Sequence, residues 1–156
     1  MRKEIIGHVG VDSGQLLLCD PCYIDSEWRE EPFQDIRIFE HTTTGERLQY
    51  QVDFENFNNP IAKHCGKDMN TLLESGEWKQ LDRPAPENNF SYNSCCHATL
   101  SEQGHGQLHY KLGHQGLGVA FSTSGDGLYP VHATYDDNGE LLSVTIQFQD
   151  VDVADI

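Results

Sequence analysis

The stretch that most constrains this chain is residues 118–148, GVAFSTSGDGLYPVHATYDDNGELLSVTIQF. It divides into three runs, 118–123, 128–135 and 141–148, separated by Gly125-Asp126-Gly127 and by Asp136-Asp137-Asn138-Gly139. Tyr129, Val131, Ala133 and Tyr135 fall on every second position, and so do Leu142, Val144, Ile146 and Phe148. A period of two marks a half-buried strand, because successive side chains point to opposite faces. The Asn-Gly pair accepts the positive φ of a tight hairpin or of the bulge that follows one. These residues predict three consecutive antiparallel strands joined by two turns.

The rest of the chain is read against that element. Residues 4–11 and 15–19 form two strands around a tight turn at Asp12-Ser13-Gly14. Asp20-Pro21 ends the second, because proline cannot donate to a ladder. Residues 26–32, around Trp28, make a loop or a single helical turn. Residues 36–43 and 47–54 flank Thr44-Gly45-Glu46 as a hairpin. Met69, Leu72 and Leu73 stand at i, i+3 and i+4, so 66–75 predicts the one short helix, stopped at Ser75-Gly76. Pro84, Pro86 and two asparagines make 81–89 a loop. Residues 92–101 and 107–112 read as strands, and the acidic tail 149–156 is expected to fray. Eight or nine strands with one short helix predict a mainly β (β-rich α+β) chain, an antiparallel sandwich or a rolled open barrel. At 156 residues it is expected to form a single domain, 1–156, with a core that needs no disulfide staples.

Charge narrows the partners. A formal net charge of −15 repels phosphate, so neither nucleic acid nor an anionic membrane is an expected partner. No apolar run approaches the length of a membrane span. From 112 to 156 there is no Lys or Arg against seven Asp or Glu, which reads either as a solvated acidic surface or as a docking face for a basic protein. Five cysteines behind an amino terminus with no export signal point to reduced thiols or metal ligands in a cytoplasmic protein. The sequence leaves the oligomeric state open, with edge-to-edge sheet pairing as one route to a homo-oligomer.

Three patches carry a family resemblance. VDSGQLLLCDPCYI (11–24), the run Gly125-Asp126-Gly127-Leu128-Tyr129-Pro130-Val131 and the double-cysteine segment 91–100 resemble the DUF4241-type family of uncharacterised bacterial proteins. That resemblance implies a β-rich domain. It brings no activity, so no catalytic residue follows from it.

The candidate chemistry is therefore read from the residues. Cys19-Asp20-Pro21-Cys22 is a C-x-x-C knuckle that would supply half of a tetrahedral zinc site. His64-Cys65 or Cys95-Cys96-His97 would supply the other half, although adjacent cysteines on a strand face opposite ways. Against that stands the reading of all these thiols as small buried hydrophobes. A redox role is disfavoured, because the motif follows a strand, carries the negative Asp20 and shows no helix after it. His97, His105, His109 and His114 form a histidine-rich run, read as solvent-facing side chains. Asp20, Asp126 and Tyr129 are the candidate binding residues, and the two aspartates would act as paired carboxylates if they met at one sheet edge. No nucleophile elbow, phosphate loop or H-E-x-x-H is present. The expectation is a non-enzymatic binding or protein-interaction module that needs no cofactor. The alternative is a zinc-binding domain or small metal-dependent hydrolase using Cys19, Cys22, Cys95, Cys96 and His97.

Overall fold

The computed structural model describes residues 1–109 and 116–150. The described residues form β1 (Arg2–Val11), β2 (Gln15–Leu18), α1 (Pro21–Ser26), β3 (Ile38–His41), β4 (Arg47–Gln49), α2 (Met69–Glu74), β5 (Trp78–Gln80), α3 (Tyr92–Thr99), β6 (His105–Leu108), β7 (Gly118–Ser122), β8 (Gly127–Tyr135) and β9 (Leu141–Ile146). The strands make three antiparallel sheets, ordered β1-β8-β9, β2-β7-β6 and β4-β3-β5, and none closes into a barrel. The mainly β class expected from the sequence is what the chain adopts.

A long two-stranded ribbon organises the first two sheets. β1 pairs with β8 from Arg2↔Tyr135 to Val11↔Gly127, and β2 pairs with β7 from Gln15↔Ser122 to Leu18↔Val119. Asp12-Ser13-Gly14 and Gly125-Asp126-Gly127 are thus not the hairpin turns expected of them. They face each other as paired bends, where both strands change direction and continue into the next sheet. Gly14 and Gly125 take φ of +69° and +113°, values open to glycine and costly for other residues. Bonds across the ribbon fix the bend: Thr123 N–H donates to the Gly14 carbonyl (2.9 Å) and Gly14 N–H to Asp126 Oδ1 (2.9 Å). Local sequence cannot separate a turn that reverses a strand from a bend that redirects it. The pairing partner decides.

The other hairpins follow the sequence. β8 and β9 pair from Val131↔Ile146, with Asp136 Oδ1 accepting the N–H groups of Asn138 and Glu140 in the turn. β3 and β4 pair around Gly45, and α2 falls inside its predicted span with Asp68 accepting the Thr71 N–H at 2.8 Å. Pro130 sits in the central strand of its sheet, an unusual place for a residue without a donor. It is tolerated because β9 ends beside it: the Pro130 carbonyl accepts the Gln147 N–H, and little ladder remains beyond.

Two helices stand where strand or loop was expected. Residues 92–101 were expected to be a strand, but Tyr92–Thr99 is helix α3. Ser91 Oγ accepts the Ser94 N–H (3.1 Å) while Ser94 Oγ accepts the Ser91 N–H (2.7 Å), a reciprocal capping box. Helix α1 starts at Asp20-Pro21, where Asp20 caps the helix by accepting the Cys22 N–H at 3.0 Å and Pro21 takes the first helical position. The dipeptide that ends β2 also begins a helix. The part of the predicted strand 107–112 beyond residue 109, His114, and the tail from 151 lie outside the described residues.

Two apolar clusters form the core. Phe39, Leu48, Phe54, Ile61, Met69, Leu72 and Trp78 gather where α2 meets β4-β3-β5. Phe90, Cys95, Leu108, Leu117 and Ala120 gather where α3 covers β2-β7-β6. The sheet β1-β8-β9 contributes to neither. Its only buried hydrophobics are Val11 and Ala133, while Ile5, Ile6, Leu128, Leu141, Leu142 and Val144 are each more than half exposed. Among the described residues no helix is long and apolar enough to cross a membrane.

Candidate functional site

The cysteines are ordered by helix α3. Because 92–99 is helical, Cys95 and Cys96 are both buried but look to different neighbours. Cys95 packs into the cluster that also takes Cys19, and Cys96 Sγ accepts the Gln15 Nε2–H at 3.4 Å. His97 is exposed on the outer side of the helix. Cys22 is exposed on α1, beyond the capping Asp20, and Cys65 is exposed near the 3₁₀ turn Ala62–His64. The expected objection to a shared ion, opposite faces of a strand, does not apply. Even so, no three His, Cys, Asp or Glu side chains among the described residues are grouped so as to hold a metal ion.

Three of the thiols are shifted toward the protonated form. Burial pushes the Cys95 thiol up to about 12, with the neighbouring Cys96 and Cys19 sulfurs adding to it. Cys19 is raised by burial and then by the Asp20 charge. Cys22 is raised chiefly by its hydrogen bond to Asp20. Asp20 itself is held low, first by the Cys22 backbone N–H. A helix does begin inside the C-x-x-C motif, contrary to expectation. Asp20 nevertheless sets its chemistry, since a carboxylate beside a thiol opposes the thiolate that nucleophilic or redox work requires.

Asp20, Asp126 and Tyr129 each hold a structural bond. Asp20 caps α1, Asp126 binds Gly14 across the bend, and the Tyr129 hydroxyl donates to the Gly125 carbonyl at 2.6 Å while its ring meets Phe148 edge-on at 5.3 Å. Asp20 and Asp126 lie at opposite ends of β2, which at about 3.3 Å per residue keeps them well over 10 Å apart. They are not the paired carboxylates of a hydrolase. The two patches around them do meet at the double bend, through Gly14 and Asp126.

The structure gathers one set of residues that the sequence dispersed. His97, His105 and His109 line a single open groove of about 360 Å³, with Asn88, Ser101 and Gln107 among its other walls. A second recess of about 740 Å³ adjoins it, lined by Arg83, Asp82, Glu102 and Gln103 as well as His97. Asn88 in the groove wall is held by Glu31, a buried carboxylate that itself lines neither recess. Its Oε2 accepts Asn88 N–H (3.1 Å) and Nδ2–H (2.6 Å), and its Oε1 accepts Asn93 Nδ2–H (2.7 Å). The Asn93 amide, with Asn88 behind it, holds the Glu31 carboxyl below the usual carboxylate range. The histidine-rich run, read as solvent-facing, held the only sequence signal of the groove: β6 and the residue after it place His105 and His109, and α3 supplies His97 from a distance.

The sheet β1-β8-β9 exposes Ile5, Ile6, Leu128, Leu141, Leu142 and Val144. Its register puts Val9, Tyr129, Val131, Ala133, Tyr135, Val144 and Ile146 on one face, where all but Val144 are buried or half-buried, and Ile5 and Leu128, both more than half exposed, on the other. No other strand or helix packs on the sheet to an extent comparable with its own pairing. Both of its edges, β1 and β9, are unpaired among the described residues. Comparison with known proteins gave no match: no family model, no curated protein and no solved structure corresponds to this chain.

Proposed function

We propose that this protein is a non-enzymatic binding module of the cytoplasm whose partner is a basic protein surface. The observation that carries the reading is the sheet β1-β8-β9, which offers exposed apolar side chains and two open edges. Monomeric proteins rarely leave such a surface uncovered without a use for it. The charge on its β8-β9 side selects the partner: residues 116–150 contain no Lys or Arg and carry Asp136 and Glu140 at one end of the sheet, whereas Arg2 and Lys3 lie on β1 and the Met1 ammonium pairs with Asp137. Five free thiols fit a reducing compartment.

The test is the affinity of the full chain for poly-lysine and for a set of purified basic and acidic proteins, measured across a salt series. The expected result is binding to the basic set that weakens as salt rises. Indifference to salt, or equal binding of acidic proteins, would sink the reading.

The zinc-domain or metal-dependent hydrolase reading has one observation in its favour, the packing of Cys19 and Cys95 in one cluster. It predicts stoichiometric zinc in tag-free protein and a Cys22→Ser variant that loses both metal and thermal stability. Unchanged melting with no metal to lose disposes of it.

A further inference from the structure

The two edges of the sheet β1-β8-β9 are not equivalent. β1 is guarded: its register shifts at Ile6, Lys3 lies on it, and Gly7 and Gly10 interrupt it. Bulges and lysines are the usual devices that keep an edge from pairing with another chain. β9, LLSVTI, carries no charge, no proline and no glycine; its own register shift falls at Leu142, next to the turn, and from Ser143 to Ile146 the pairing is regular. Leu141, Leu142 and Val144 on it are more than half exposed.

The hydrogen-bond phase of β9 can be read from its end. Gln147 donates to Pro130, so by antiparallel alternation Thr145 and Ser143 turn their backbone groups toward β8. The N–H and C=O groups of Val144 and Ile146 then point outward, away from the sheet. Side chains and backbone thus present a short, flat, uncharged template for one more strand.

Charge decides what fits it. Asp136 and Glu140 precede β9 and Asp150 follows it, with no Lys or Arg in residues 116–150, while Asp137 is already paired with the Met1 ammonium at 2.9 Å. A second copy pairing antiparallel through its own β9 would set each acidic end against the other. We propose that β9 is a docking edge for an extended segment of a basic protein, added as a fourth strand, with β-branched residues facing Val144 and Ile146 and with Lys or Arg at both ends. This rests on the binding-module reading and names the strand and the shape of its partner.

The test uses the full chain and two probes, a short alternating Val-Thr peptide flanked by lysines and the same peptide flanked by glutamates. The lysine peptide is expected to bind roughly tenfold or more tighter than the glutamate peptide, and to slow amide exchange at Val144 and Ile146. Val144→Pro removes an outward N–H that the ladder does not use, so binding should be lost while thermal melting is retained. The charge variant Glu140→Lys/Asp150→Lys weakens lysine-peptide binding without touching the backbone, and covers the case in which the proline variant fails to fold. Equal affinity for both peptides, or binding unchanged in both variants, overturns the proposal. Concentration-dependent dimerisation abolished by Val144→Pro overturns it in favour of a second copy. If poly-lysine still binds in a salt-dependent way while neither peptide engages β9, the docking edge fails and the basic-partner reading stands. If poly-lysine fails as well, both fall.

Discussion

The two halves of the long ribbon are built from the same two stretches of chain and end differently. In β2 and β7 the ribbon lies under α3, and Leu108, Leu117 and Ala120 are all but lost from solvent. In β1 and β8 it has no cover, and Ile5, Leu128 and, next door on β9, Leu142 face solvent. Contact is closest on the covered side. A Cβ on Gly106 would lie 2.9 Å from Ala98 Cβ, and one on Gly118 would lie 2.8 Å from the Leu18 carbonyl oxygen. Glycines there let helix and neighbouring strand approach the sheet, while the bare half has no partner to approach. Alternation in sequence specifies a strand with one apolar face, and it does not say whether this chain or another molecule covers that face.

Substitutions in the two halves should separate them sharply. The largest effect is expected from Phe90→Ala, which empties the centre of the covered half, where Phe90 is 2% exposed and meets Trp28 edge-on at 5.1 Å. A loss of about 3–5 kcal/mol in urea unfolding is expected; a loss near zero would mean that α3 is not the lid described. Gly106→Val forces Ala98 away from β6 and should cost about 1–3 kcal/mol by overpacking, read in the same melts.

Glu31 ties the segment before β3 to α3 and sharpens the comparison through pH. Its folded-state pKa is depressed, so its contribution is complete above the ordinary carboxylate pKa and is lost as pH falls through the folded value. Glu31→Gln should be less stable than the parent near neutral pH by about 1–3 kcal/mol. The gap should close in acid, and a pH-independent gap would assign the residue to shape alone. The smallest effect belongs to the bare half: Leu142→Ser, at a position 55% exposed, should change stability by no more than about 0.5 kcal/mol. A large loss there would show that the sheet is covered after all.

Legibility in the sequence followed how local each signal was. The β8-β9 hairpin, the β3-β4 hairpin and α2 could be read because turn residues, alternation and an i, i+3, i+4 pattern all lie within a few residues of one another. Helix α3 could not, because Cys95, Cys96, Thr99 and Tyr92 suit a strand as well as a helix, and the deciding signal was the Ser91/Ser94 capping box, with serine where glutamate is commoner. Asp20-Pro21 carries a helix start as well as a strand stop, since both uses exploit the missing proline donor. The candidate binding residues Asp20, Asp126 and Tyr129 make structural bonds at a cap and at a bend.

By itself the sequence determined that this protein is mainly β, strongly acidic, and built on strands whose register a one-residue slip would invert. The tertiary structure alone decided that the glycine turns at 14 and 125 redirect a ribbon instead of closing hairpins, and that three histidines share a groove. It also decided that the best-patterned sheet stays outside the core. The reason is physical: periodicity and turn chemistry are set by each residue's own backbone and immediate neighbours, whereas pairing, cover and proximity depend on which distant surfaces bury the most apolar area together.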